Sequence, residues 1–174
     1  MRAKRWLCGA LDIKDEEGMK MASGARNQQT GRAGEHYVAA ELNRRGAYAV
    51  TFAGNMPRID IMASNTERTR TVTIQVKTCR SLGWQTSIDE GRKCDPIQDE
   101  TRFWIFVRLG PDNKPPEYFI VPDWWIRNNI FEAHRSYLAK HGGTRAINPK
   151  AKHHSIKSAR IEEWRDRWDL LKVM

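Results

Sequence analysis

The chain has 174 residues, enough to bury a core in one domain of ordinary size and too few for two comfortable ones. Its hydrophobic fraction is 40% and its charged fraction 29%, and the longest apolar run, around Phe103 to Val107, is far shorter than a bilayer requires, so a membrane-spanning segment is not expected. A formal net charge of +9, with a sequence pI near 9.7, favours polyanionic partners, nucleic acid first among them.

Basic residues at Arg2, Lys4 and Arg5 are not followed by an apolar secretion segment, because Asp12, Lys14, Asp15, Glu16 and Glu17 interrupt it, so a cytoplasmic home is expected. Cys8, Cys79 and Cys94 form no CxxC pair and read as free thiols in a reducing compartment.

In chain order, residues 1–29 are polar and lack sustained periodicity, which predicts a loosely ordered N-terminal extension ahead of one domain over 30–174. Thr30 is placed to cap a first helix of about Gly31 to Arg45, with Val38, Ala39 and Leu42 on one face and Gly46 at its C-terminal cap. Three strands are expected next, Ala47 to Phe52, Ile59 to Ala63 and Arg70 to Thr78, forming an antiparallel meander. Cys79 to Thr101 has no clear period and reads as a long loop or a loop with a short helix.

Phe103 to Leu109 and Tyr118 to Val121 are two further strand candidates, separated by Gly110, Pro111, Asp112, Asn113, Pro115 and Pro116. A helix is expected from Pro122 or Asp123 to about Lys140, and a last one over Ser158 to Leu171, where Ile161, Trp164, Trp168 and Leu171 recur at helical spacing. From Lys140 to Arg160 there are six basic residues, Lys140, Arg145, Lys150, Lys152, Lys157 and Arg160, and no Asp or Glu, a pattern suited to phosphate contact. The fold class expected is α/β, with a central mixed sheet flanked by helices.

In the third strand the period of two puts Gln75 and Lys77 on one face and Val72, Ile74 and Val76 on the other. Alone this describes any amphipathic strand. Two carboxylates add to it. Glu35 shares the helical face of Val38, Ala39 and Leu42, which aims it at the sheet, and Asp60 lies in the preceding strand where it can face Gln75 across the ladder. Two carboxylates, one amide oxygen and one ammonium suit Mg²⁺ or Mn²⁺, hard cations with oxygen ligands. The plainer use of the same residues is a salt bridge of Lys77 with Asp60 or Glu35.

The order Gly34-Glu35, then Arg58-Ile59-Asp60-Ile61, then Ile74-Gln75-Val76-Lys77-Thr78 resembles the PD-(D/E)xK nuclease superfamily. It is similar to the small Holliday-junction-resolvase-like members and to Mrr-type restriction endonucleases, some of which carry glutamine in the third motif. Ile59 stands where the motif has proline, and Gln75 where it usually has a carboxylate. The resemblance implies a restriction-endonuclease-like fold, metal-dependent hydrolysis of DNA, and a homodimer in which two sites address two strands. It assigns metal binding to Glu35, Asp60 and Gln75 and hydrolysis to Lys77. The alternative is a nuclease-fold protein that binds nucleic acid or a protein partner without cutting, with Gln75 marking the loss of activity.

Secondary candidates for nucleic-acid contact are Arg58 at the mouth of the site, His36 beside Glu35, and Lys150, Lys152 and Lys157 in the basic stretch. His153 and His154 are neighbours, which does not suit a zinc pair on one helix face. Trp84 and the Trp124-Trp125 pair are candidates for base stacking, although seven tryptophans are mainly expected in the core or at an interface.

Overall fold

The computed structural model describes residues 16–52, 56–111, 113–145, 148 and 150–174, with side chains from residue 24 onward. Among the described residues two α-helices, α1 (Glu16–Arg44) and α2 (Asp123–Lys140), accompany seven strands. These are β1 (Tyr48–Thr51), β2 (Ile61–Ser64), β3 (Thr71–Cys79), β4 (Gly83–Ser87), β5 (Arg102–Arg108), β6 (Glu117–Pro122) and β7 (His153–Lys157).

Five strands form one sheet in the order β1-β2-β3-β5-β6. β1/β2, β2/β3 and β5/β6 are antiparallel, whereas β3 and β5 run parallel, so the sheet is mixed as expected. Parallel partners need a connection long enough to return to the same end, and residues 80–101 make it. The short helix allowed for in that connection is there, as a 3₁₀ turn at Ile88–Glu90 capped by Ser87 Oγ; what was not expected is β4, which pairs antiparallel with β7 in a separate ribbon. Both strands escape a sequence reading for the same reason, since each contributes one fully buried large residue, Trp84 or Ile156, within an otherwise polar run.

The sheet divides the core in two. On one face, Val38 and Leu42 of α1 pack on Ile61, Ala63, Val72, Ile74 and Val76. On the other, α2 and the β4–β7 ribbon bring Ile126, Ile130, Trp84 and Ile156 against Trp104, Phe106, Phe119 and Val121. β5 serves both clusters by alternation, with Phe103, Ile105 and Val107 on the α1 side and Trp104 and Phe106 on the α2 side.

Two boundaries differ from expectation. Thr30 does not start α1; the helix begins at Glu16, so residues 16–29, read as part of a loose extension, are helical, while residues 1–15 lie outside those described. The expected C-terminal helix over Ser158 to Leu171 is instead three short 3₁₀ segments, Ser158–Arg160, Glu162–Trp164 and Trp168–Leu171. Asp166 between them holds a left-handed backbone, φ 53, which no continuous right-handed helix tolerates. Ile161, Trp168 and Leu171 are buried all the same, because tight turns also return a side chain to the core every third or fourth residue.

The described tryptophans are buried or partly buried. Trp84, Trp104 and Trp168 are buried, and Trp125 packs edge-on to Trp164. The large apolar side chains exposed among the described residues are others, including Tyr48 and Val50 of β1 and Met62, the β2 partner of Val50. Among the described residues no helix is long and apolar enough to cross a membrane.

Candidate active site

β2 and β3 are unequal in length, and the site candidates gather where they part. β2 begins at Ile61, opposite Ile74, while β3 runs on to Cys79. Beyond Ile74 the backbone of β3 therefore has no strand on its β2 side. Asp60 fills the gap: its N–H donates to Ile74 O at 2.9 Å, and its Oδ2 accepts the Val76 N–H at 2.6 Å. A side chain thus satisfies a ladder group that would otherwise lie unpaired. Both chain neighbours of Gln75 are bonded to Asp60, which sets Gln75 across the ladder from it as expected.

α1 closes the gap from the other direction. Its approach is tightest at Gly34, where a β-carbon would lie 1.8 Å from Thr78 Oγ1 and 2.8 Å from Thr78 Cβ. Only glycine permits that contact. Glu35 follows immediately, half-buried. Burial raises its carboxyl above the ordinary range and the Asp60 charge raises it further, against Arg32 and His36, which lower it. Asp60 is also raised, chiefly by burial, although the Val76 N–H and Lys77 pull it down. Two carboxylates share this gap and each binds its proton more tightly than in water.

Lys77 acts electrostatically on Asp60 but forms no ion pair with it or with Glu35 among the described residues; its Nζ lies 5.9 Å from the Trp104 ring centroid. The salt-bridge use of these residues is therefore not what the structure contains. Lys77 also lines a cleft of about 1030 Å³ between the N-terminal half of α1, at Arg26, Gln29 and Thr30, and the end of β3 with β4. Gln75 lies on the same strand face but lines a different, smaller pocket together with Arg58 and Trp104. The Asp60 charge thus acts on Glu35 and the Lys77 charge on Asp60, without a hydrogen bond or ion pair between them among the described residues, and Gln75 stands in register with Asp60.

The residues present fit a hard cation. Asp60 keeps Oδ1 without a hydrogen bond, the Gln75 amide has no partner among the described residues, and the like charges of Glu35 and Asp60 would be relieved by a dication. Among the described residues no three Asp, Glu, His or Cys side chains gather as a metal cluster, and the side-chain oxygen in register with Asp60 across the ladder is that of Gln75.

The secondary candidates are dispersed. His36 is exposed beside Glu35. Arg58 meets Glu90 at 3.4 Å at the edge of the smaller pocket. Lys150 is exposed, Lys152 is paired with Asp89 at 2.8 Å, and Lys157 is exposed on β7, so the basic stretch is partly neutralised and partly built into the ribbon. Trp84 is removed from base stacking by burial, its Nε1–H donating to Val107 O at 2.9 Å. Sequence reading missed Gly34 and Thr78 as the contact that seats α1, and it missed Arg92, Arg102, Asp123 and Arg127 around Gln75. One signal was available: Asp123 and Arg127 are four apart on a helix, the spacing of an intrahelical pair.

No family model and no curated protein sequence matches the chain. Among solved structures it is similar to Hjc, a Holliday junction resolvase of Archaeoglobus fulgidus, with a TM-score of 0.46 and 16% identity over 83% of this chain and 97% of that one. It is similar also to a bacterial homing endonuclease, with a TM-score of 0.46 and 10% identity over 83% of this chain and 91% of the other.

Proposed function

We propose that the protein is a metal-dependent endonuclease of the PD-(D/E)xK type that hydrolyses DNA phosphodiester bonds. The observation that carries this reading is the gap beside β3, where Glu35 and Asp60 are two half-buried carboxylates, and Asp60 raises Glu35 and feels the charge of Lys77, an ammonium that forms no ion pair among the described residues. A fold has little structural reason to hold two carboxylates of raised proton affinity together, and such groups concentrate at functional sites.

Glu35, Asp60 Oδ1 and the Gln75 carbonyl would hold Mg²⁺ or Mn²⁺, which supplies Lewis acidity to the phosphoryl group. The chain's own part is positional. Asp60 is held by two backbone bonds to β3, so its free oxygen is fixed relative to Gln75 and Lys77. Lys77 donates to a phosphoryl oxygen and offsets the charge that grows there as water attacks phosphorus and the bond to the leaving sugar oxygen breaks. The wide cleft beside Lys77, with Arg26 and Gln29 on its α1 wall, accommodates the backbone of the nucleic acid.

Cleavage of supercoiled plasmid and of a branched DNA tests this, using the native chain and Lys77→Ala with Mg²⁺, Mn²⁺ or EDTA. Metal-dependent nicking that drops by about 10²–10⁴-fold in the variant is the expected result. DNA binding without cleavage, indifferent to metal, would instead establish a non-catalytic nucleic-acid-binding protein.

A further inference from the structure

On the side of β3 that carries Gln75 there is a second pocket, about 200 Å³ in volume, floored by Thr73, Gln75 and Trp104. Four arginines line it, Arg58, Arg92, Arg102 and Arg127, with a single carboxylate, Asp123. Like charges packed this closely repel unless they are offset.

Two of the four are offset. Asp123, only 3% exposed, accepts Trp104 Nε1–H on Oδ1 at 2.8 Å and Arg127 Nε on Oδ2 at 2.7 Å. Arg127 also meets Glu90 at 3.1 Å, and Glu90 meets Arg58 at 3.4 Å. Both oxygens of Asp123 are thereby engaged. Arg58 reaches its place from a left-handed backbone, φ 66, a conformation a non-glycine residue keeps only where its surroundings enforce it.

The other two keep donors unspent. Arg92 forms no ion pair among the described residues, and Arg102 forms only long ion pairs, to Glu100 at 3.9 Å and Asp123 at 3.8 Å, beyond hydrogen-bond distance, which offset its charge in part and leave its N–H groups open. Planar guanidinium forks with unspent donors match a tetrahedral oxyanion. The pocket lies below the range of about 300–1,000 Å³ usual for whole small ligands, so it suits one group of a larger molecule. Its lining residue Gln75 is one strand repeat, about 7 Å, from Lys77 along the same face of β3.

We propose that this pocket holds a second phosphate of the nucleic-acid strand, adjacent to the one at Glu35, Asp60 and Lys77, with Arg92 and Arg102 as its ligands. Asp123 is a positioning residue that holds Arg127 and Trp104 in the wall. The substrate named here rests on the nuclease reading above.

The test is the salt dependence of binding to a short fluorescent DNA duplex in EDTA, in chains that carry Lys77→Ala so that nothing is cut. Arg92→Ala/Arg102→Ala should weaken binding about tenfold at moderate salt and reduce the slope of log K against log salt by about one, the loss of one phosphate contact. Arg44→Ala/Arg135→Ala removes the same charge from exposed sites paired to Glu41 and Glu132, and should leave the slope unchanged. Arg92→Gln/Arg102→Gln, with circular dichroism, guards against a folding artefact. Equal slopes in the two double variants would overturn the pocket assignment, even if Lys77-dependent cleavage is found. A slope change in a protein that never cleaves DNA would keep the pocket and discard the nuclease, and no DNA binding by any chain would discard both.

Discussion

The two faces of β3 are built for different ends. Toward α1, Val72, Ile74 and Val76 are buried under Val38 and Leu42. Toward the other layer, Thr73, Gln75 and Lys77 stay half-buried, because α2 and the β4–β7 ribbon cover β5 and β6 rather than β3. One strand thus anchors the molecule with its even-numbered face, Val72, Ile74 and Val76, and presents polar groups with its odd-numbered face, Thr73, Gln75 and Lys77. Chemistry carried on a central strand is placed more accurately than chemistry on a loop, since the packed face fixes the exposed one.

The comparison breaks most visibly at Ile74. Ile74→Ala removes a fully buried side chain under α1, and urea unfolding should register a loss of about 2–5 kcal/mol, with cleavage per folded molecule unchanged. Lys77→Ala should do the reverse, abolishing cleavage while leaving the unfolding midpoint in place.

Gly34→Ala probes the joint between the two faces. Alanine favours a helix, yet its β-carbon would collide with Thr78, so the outcome expected from thermal unfolding is a net loss of about 1–3 kcal/mol. Thr78→Ala in the same chain should recover part of it. A stabilised Gly34→Ala would mean that α1 sits farther from β3 than described.

A smaller effect sharpens the polar side. Gln75→Glu adds a third carboxylate to the set, and calorimetric titration with Mn²⁺ should then find affinity raised several-fold, because cation sites tighten with ligand charge. No change would remove Gln75 from the ligands.

The smallest effect lies outside the sheet. His154 of β7 is pushed down to about 4, first by burial and then by the charges of Arg160 and Arg145 and the neighbouring His134. The folded state therefore resists the proton that the unfolded chain accepts near 6.5, so the stability tied to neutral His154 is complete above 6.5 and drains away as pH falls toward 4. Denaturation midpoints measured between pH 7 and pH 5 should fall more steeply for the native chain than for His154→Gln.

Much of this was legible in the sequence, where local signals agreed with the tertiary outcome. Asp123 to Lys140 reads as a helix and is one, and the alternation of Thr71 to Thr78 fixes which side chains share a face. That the register sets Asp60 opposite Gln75 also follows from strand order. What stayed hidden depended on partners distant in the chain. β4 is a strand only because β7 lies beside it, and the arginine pocket joins residues from Arg58 to Arg127 that no spacing rule relates. The C-terminal residues misled in the opposite way, since Ile161, Trp164, Trp168 and Leu171 have helical spacing in a segment that Asp166 prevents from being one helix.

The β4–β7 ribbon has a consequence in time. A chain emerging from the ribosome presents α1 and β1 to β3 first, and these find one another through near-neighbour contacts. Trp84 follows soon after, but its register partner is Ile156, so the ribbon closes only once Ile156 is out. The contacts of β3 with α1 are thus available early and the ribbon layer waits for Ile156, while Trp168, Leu171 and Val173, which complete the α1-side core, emerge later still. A nascent or truncated chain that stops short of His153 would carry Glu35, Asp60, Gln75 and Lys77 on a half-covered sheet, with Trp84, Phe106 and Phe119 exposed to the chaperones that recognise unburied aromatics.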